Sequence, residues 1–469
     1  MKSFSTFIKN HRLFVLLACG TLCFAWTSLF YLHSTFPTGD EPHYLVISQT
    51  LLKYHSLNVS LDYQHGDFHA FYPGPIRPHV VPNMRGQLLP VQNIGAPVLW
   101  LLPFSLLGRL GAMLFISLVS VLIVYNMYKL MLLLGIKERY AFLVCAAYIV
   151  ASPLYLYSHL TFVEPIGAFL CIAIARRLFQ QKVTVRELLI SSILLGILPW
   201  VHIRFALFEI ILFFPLLYKI YKQYKFKNVL SYVAYLAPVS ILFAAIEIYN
   251  FIVWGTFNPA ANQINDKSVP FQVSPLKGLV GTFFDQQYGL LMTFPLFLFL
   301  FIGIILAMKK QYRQYNVLMI ALSLPYLLIV NSFSLWSGGW SPPARFILVL
   351  LPLYSFYIAF ALEQMRSVPA YLTFAVTVGY GFFYNLRTLT VSSFGFNGET
   401  GRNSTLFDLH LFNRPITDYQ PSLYLPHQEG LLSLWIGGTI LVCVVLFFSR
   451  RRRTMRHSIP STNSSRKLD

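Results

Sequence analysis

Charge is what this sequence has least of. Only 11% of its 469 residues are Asp, Glu, Lys or Arg, whereas 56% are hydrophobic and 16% aromatic. A soluble domain carries close to twice that charged fraction, so a soluble enzyme is excluded, and so is a largely disordered chain. Acids are the scarcer sign, 17 against 36 Lys and Arg. Cysteine is sparse too. The five (Cys19, Cys23, Cys145, Cys171 and Cys443) all fall inside apolar runs without paired loop spacing, which argues against a disulfide framework or a zinc site. The chain also lacks internal repeats, a phosphate-binding Gly-rich loop and a His-Glu-x-x-His pair, the signatures of common nucleotide and zinc chemistry.

What it has instead is long apolar runs, near 13–33, 111–134, 140–157, 163–179, 188–201, 204–218, 229–250, 289–308, 316–333, 345–362, 369–387 and 431–448. Most are near the length that crosses a bilayer, so the pattern predicts an all-α polytopic membrane protein with about twelve spans. The first run is too long for a cleaved signal and lacks a small-residue cleavage site, so it reads as a retained span. The stretch Leu88–Leu107 is apolar but carries Pro90, Pro97 and Pro103, and proline removes a backbone donor.

The basic residues decide whether that stretch crosses. Arg176, Arg177 and Lys182, then Lys219 to Lys227, Lys309 to Arg313 and Arg450 to Arg453, each follow an apolar run, as the positive-inside bias requires. If 88–107 stays on one side, all these clusters, with Lys137 and Arg139, share the cytoplasmic face. Both termini are then cytoplasmic and the long loops 34–110, 251–288 and 388–430 are outside. Residues 1–448 form one transmembrane domain, and 449–469 a basic, disordered cytoplasmic tail. The net charge of +19 is then topological, and no nucleic-acid partner is implied.

The acids of chemical interest lie in or beside the outer loops. Gly39-Asp40-Glu41-Pro42-His43-Tyr44 follows the first span. Gly39 permits a sharp turn, and Pro42 suits the first turn of a helix lying on the membrane surface. A helix cap explains one acid; two adjacent ones exceed what a cap needs. Glu164 precedes Pro165 where the next outer loop enters a span, and helix capping would account for it equally well. Arg204, in Trp200-Val201-His202-Ile203-Arg204, and Arg345, after Trp336-Ser337-Gly338-Gly339, mark outer span ends. Arginine at membrane depth is expensive and pairs with something: a lipid phosphate through its bidentate fork, a headgroup, or a structural acid. Lone His159 and His202 read more readily as satisfied polar residues than as ligands. Arg85 and Arg109 flank 88–107 at the outer headgroup level. Asn58 and Asn403 open Asn-x-Ser/Thr triplets, which glycosylation would use only in an endoplasmic reticulum.

In that topological place the acidic motif resembles GT-C-fold glycosyltransferases, specifically the glycosyltransferase family 39, protein O-mannosyltransferase and aminoarabinose transferase group. The resemblance runs over roughly residues 10–365 and includes Glu164, Phe283-Phe284-Asp285-Gln286-Gln287-Tyr288-Gly289, and Trp336-Ser337-Gly338-Gly339 with Arg345. It implies a polyprenyl-phosphate sugar donor, transfer with inversion outside the cytoplasm, Asp40 as catalytic acid-motif residue, Glu41 as its pair and Glu164 as the second-loop acid. From their place at outer span ends, Arg345 is expected to bind the carrier phosphate with Arg204 as its helper, and His43, Tyr44, Arg85 and His202 are further candidates for substrate binding. Asp40 and Glu164 could share a divalent cation, Mg or Mn. The acceptor is a glycan, lipid or protein, and a bacterial inner membrane fits better than the endoplasmic reticulum. Two rivals share the general features. A flippase of lipid-linked sugars would place its site mid-membrane between repeated halves, and a glycan polymerase or ligase would lean on outer-loop arginines rather than an Asp-Glu pair.

Overall fold

The computed structural model describes residues 11–264, 274–391 and 400–449. The chain is an all-α polytopic membrane protein, with sheet limited among the described residues to two short hairpins. Five helices are long and apolar enough to cross a bilayer: Arg12–Ser34, Arg109–Leu133, Val229–Trp254, Lys310–Asn331 and Glu429–Phe448. Glu429–Phe448 buries only 6% of its most apolar window, and so much exposed hydrocarbon on a helix is compatible only with lipid. By contrast Leu351–Met365 and Glu164–Leu178 are buried almost all round and form the centre of the bundle.

Three of the expected spans are not continuous helices. The run 140–157 splits into Glu138–Val150 and Pro153–Tyr157, with Ser152 capping Leu154 N. The run 289–308 breaks into Leu290–Thr293, a 3₁₀ turn at Pro295–Phe297 and Leu298–Leu306. Before Leu351–Met365 the chain makes a 3₁₀ turn, Phe346–Val349. At the first two breaks Pro153 and Pro295 lack the N–H, and their predecessors Ser152 and Phe294 lie outside the helical region. Yet Pro199, Pro215, Pro238 and Pro325 sit inside continuing helices. At Pro238 a neighbouring helix repairs the ladder: Ser192 Oγ donates to Tyr235 O and accepts from Val239 N at 2.9 Å.

The stretch 88–107 contains one strand, Leu88–Pro90, and two short helices, Gly95–Leu99 and Leu101–Leu107. None is long enough to cross a bilayer. Leu88–Pro90 pairs antiparallel with Val80–Pro82, and this hairpin packs Val81, Leu89 and Val91 against Trp254 and Ala261. The first and second long loops therefore meet. The third joins them, because Gln286 N donates to Pro421 O at 2.7 Å and Leu423 N to Asp285 Oδ2 at 2.8 Å. The opposite end gathers other elements: Arg12 pairs with Glu138 at 3.2 Å, Lys137 with Glu363 at 3.5 Å, and Ser367 with Ser449 at 3.0 Å. The basic tail from 450 onward, and residues 265–273 and 392–399 of the long loops, lie outside the described residues.

Candidate active site

Where the three long loops converge, a cavity of ≈ 1260 Å³ opens beside the end of the first helix. Gly39 makes the turn that leads into it, with φ +58°; a Cβ there would come within 2.1 Å of the Trp340 carbonyl oxygen. The turn ends at Asp40, the residue preceding the helix Glu41–Tyr54. Asp40 faces the cavity, and Glu41, one residue on, does not. Glu41 is fully buried, accepting from Thr161 N (2.8 Å), Thr161 Oγ1 (3.2 Å) and Thr38 N (3.0 Å). It braces two loops with every donor supplied by the chain.

Arg345 reaches Asp40 from the far side. It follows Ser341-Pro342-Pro343-Ala344, where Ala344 is held at φ +62°, its N–H on Tyr288 O at 3.1 Å. That is an unfavourable conformation for a residue with a Cβ, and it aims the arginine inward. Each of its three guanidinium nitrogens donates one hydrogen bond. Nη2 donates to Asp40 Oδ2, Nε to Glu164 Oε1 at 2.8 Å, and Nη1 to Gly338 O at 2.7 Å. Gly338, at φ +92°, leaves room for the arginine stem, since a Cβ there would lie 2.8 Å from Arg345 Cδ. The guanidinium also lies over the Phe162 ring, 4.6 Å from its centre.

Glu164 carries a second arginine. Arg204 Nη2 donates to the same Oε1 at 2.5 Å, placed by a 3₁₀ turn, Ile203–Phe205, that His202 caps by accepting from Arg204 N at 3.3 Å. Arg204 stacks over Phe346 at 4.8 Å and lines the cavity, and its Nε has no hydrogen-bond partner. Glu164 itself has no exposed surface and is absent from the cavity wall. It stands behind the two arginines.

Around Asp40 the wall is polar. Gln92 Nε2 approaches Asp40 Oδ1 at 3.4 Å and His79 Nδ1 at 2.9 Å; His43 Nδ1 meets Tyr63 Oη at 2.8 Å, with the two histidine rings 5.7 Å apart. Burial alone would raise Asp40, but the Arg345 guanidinium outweighs it and holds the carboxyl well below the usual carboxylate range. Burial pushes His43 down to about 4, against the pull of Asp40, so the ring is neutral at physiological pH. Tyr44 lines the cavity with its ring edge-on to Trp100. The opposite wall is apolar: Ile203, Ile329, Val330, Phe333, Leu335 and Phe346.

The structure thus brings Asp40, His43, Tyr44, His202, Arg204 and Arg345 to one cavity and sets Glu41 and Glu164 behind it. Arg85 is exposed at the turn of the Val80–Pro90 hairpin, outside the lining. Asp40 and Glu164 do not assemble into a Mg or Mn site here: Arg345, a cation of the chain itself, bridges them. No group of three or more His, Cys, Asp or Glu among the described residues could hold a metal ion. Asp285 organises a turn, accepting from Gln287 N and Tyr288 N at 2.9 and 3.0 Å. Asn403 is buried and donates to Gln286 O at 2.7 Å. Gln92, His79 and the strap Tyr72–Arg77 had no motif to announce them, apart from the Pro73-Gly74-Pro75 turn signal in the strap.

No family model matches the chain, and no curated protein matches it. Among solved structures it is similar to ArnT from Cupriavidus metallidurans in the apo state, at 13% identity and TM-score 0.49, over 93% of this chain and 74% of that one. ArnT bound to undecaprenyl phosphate gives the same identity and TM-score over 93% and 73%. The Archaeoglobus fulgidus oligosaccharyltransferase AglB, in complex with an inhibitory peptide and a dolichol-phosphate, is similar at 12% identity and TM-score 0.45, over 86% of this chain and 57% of that one.

Proposed function

We propose that this protein is an integral-membrane glycosyltransferase that moves a sugar from a polyprenyl-phosphate donor to an acceptor hydroxyl on the non-cytoplasmic face of a bacterial inner membrane. The observation that carries the reading is the cavity: one carboxylate and two arginines sit where an apolar wall meets a polar one. A ridge of exposed apolar side chains on the helix Arg313–Asn331 (Val317, Ile320, Leu324, Leu328, Ile329) leads along the lipid side to that wall. A prenyl chain can follow the ridge while its phosphate stays among the arginines.

The chemistry follows from charge. A prenyl-phosphate sugar is a phosphodiester with one negative charge. When its sugar–oxygen bond breaks, the departing prenyl phosphate gains a second. Groups aimed at that developing charge supply the stabilisation. Arg204 suits this role because it lines the cavity and its guanidinium makes one hydrogen bond, to Glu164, whereas every nitrogen of Arg345 already has a partner. In this proposal Arg204 leads in binding the phosphate and Arg345 follows, the opposite of the order expected from the sequence. Asp40 takes the proton of the acceptor hydroxyl on the opposite face of the sugar, which gives inversion. Glu164 positions both arginines, and Glu41 positions the turn that carries Asp40.

The three long loops all gather at the cavity end, the arrangement expected if that end faces away from the cytoplasm. The flippase reading has no equivalent support, since the carboxylate and arginines sit at one end rather than at a midplane between repeats. The test is mass spectrometry of prenyl-linked sugars and surface glycans from a strain lacking the protein. The donor should accumulate and one glycan modification disappear. Unchanged glycans with intact donor turnover would contradict the reading.

A further inference from the structure

The base of the proposed reaction is not free. Asp40 Oδ2 is held by Arg345, and Oδ1 has only the 3.4 Å approach of Gln92. A carboxylate clasped by a guanidinium is a poor proton acceptor. The three contacts of Arg345 differ in how easily they can be surrendered. Glu164 has no exposed surface, and Gly338 O is backbone packed against the arginine stem. Asp40 alone is partly open to the cavity, its side chain 28% exposed. Beside it stands Arg204, fixed to the same Glu164 oxygen and lining the cavity.

We propose that Arg345 is a latch on the base: the carrier phosphate, entering beside Arg204, takes the edge of Arg345 that holds Asp40 and so releases the carboxylate. The inference rests on the functional reading above and goes beyond it, because it makes binding ordered. The donor must bind before the acceptor can be deprotonated. The exchange is balanced in charge, with one anion replacing another on the same guanidinium while Glu164 and Gly338 keep the arginine in place. Once released, Asp40 has lost its cation yet remains among buried neighbours, which restores its affinity for a proton. His43, His79 and Gln92 are the other groups facing it, and none carries a compensating positive charge as strong as the guanidinium.

Competition for one guanidinium is measurable by a double-mutant cycle. Undecaprenyl monophosphate would be titrated onto the full chain in lipid nanodiscs, for the parental protein, Asp40→Asn, Arg345→Gln and the double variant. Removing the competitor should tighten phosphate binding about tenfold in the parental background, and less than about twofold once Arg345 is gone. Where Arg345→Gln fails to insert, Arg345→Lys takes its place; a point charge cannot span three partners, so the gain from Asp40→Asn should shrink there too. Unchanged or weaker binding by Asp40→Asn would overturn the latch, as would an equal gain in both backgrounds, which is plain repulsion between two anions. If the parental protein shows no saturable binding, the donor assignment falls and takes the latch with it. Saturable binding without coupling between Asp40 and Arg345 removes the latch alone.

Discussion

The two polar ends of this bundle use the same residue types for different purposes. At the end away from the cavity, Lys137 and Arg366 approach Glu363 at 3.5 and 3.9 Å, and Arg12 approaches Glu138 at 3.2 Å, with at least one partner of each pair well exposed. Lys137–Glu363 and Arg12–Glu138 each tie one helix end to another, and Arg366–Glu363 closes the last turn of a single helix. At the cavity end, Asp40, Glu164, Arg204 and Arg345 form a connected network in which Glu164 and Arg345 are buried and some polar atoms, Glu164 Oε2 and Arg204 Nε, have no partner. Exposed pairs of the first kind contribute up to about 1 kcal/mol each. A buried network with unpartnered atoms is costly to maintain, and its persistence beside a cavity points to use rather than to anchoring.

The comparison can be broken at several points. The largest effect should follow Glu164→Gln. It removes the counter-charge shared by buried Arg345 and half-buried Arg204, a change that costs about 3–5 kcal/mol where buried pairs have been broken. Thermal unfolding in detergent should show a large loss, with turnover falling in the molecules that remain folded. An unchanged melting point would show that Glu164 is no keystone. Glu41→Gln should be milder and different in kind, costing about 1.5–3 kcal/mol of stability through weakened hydrogen bonds to a charged acceptor. Turnover per folded molecule should stay near parental, and a collapse there would return Glu41 to the catalytic group.

A pH effect separates the surface helices from both ends. Asp62 is buried, and burial, reinforced by Asp67, pushes it from the ordinary carboxylate range up to about 7. Because the unfolded segment releases this proton first, stability should fall as pH rises through that window and level off above about 7. Asp62→Asn should flatten the slope, read by limited proteolysis of the 60–70 segment against pH; a slope that survives would place its origin elsewhere. The smallest effect belongs to Glu363→Gln at the opposite end, up to about 1 kcal/mol of stability with turnover unaltered. A large loss of turnover there would erase the distinction between the ends.

Much of the fold was legible because apolar runs of span length and short basic clusters are strong, local signals. The helices Arg12–Ser34, Arg109–Leu133 and Val229–Trp254 lie within a few residues of their expected bounds. The breaks at Pro153, at Pro295 and before Leu351 were not legible. Proline alone does not decide: Pro238 is tolerated because Ser192 on another helix mends its ladder, which is a tertiary fact. At the site, the residue types were readable and their roles were not. Asp40 and Glu41 are adjacent in sequence, yet one faces a cavity and the other Thr38 and Thr161. That division depends on how a helix is rotated against its neighbours. Arg85 looked equivalent to Arg204 by charge and topology, but a hairpin carries it out to solvent.

The central claim, that Asp40 is the base and the arginines hold the phosphate, separates chemistry from binding in a single residue. Asp40→Asn should therefore be assayed in proteoliposomes for both at once: affinity for undecaprenyl monophosphate, and transfer of labelled sugar from a prenyl-phosphate donor in a membrane extract that supplies the acceptor. The account predicts donor binding at least as tight as parental, with transfer reduced on the order of 10²-fold or more. Transfer near the parental rate in a variant that inserts and binds donor would contradict it.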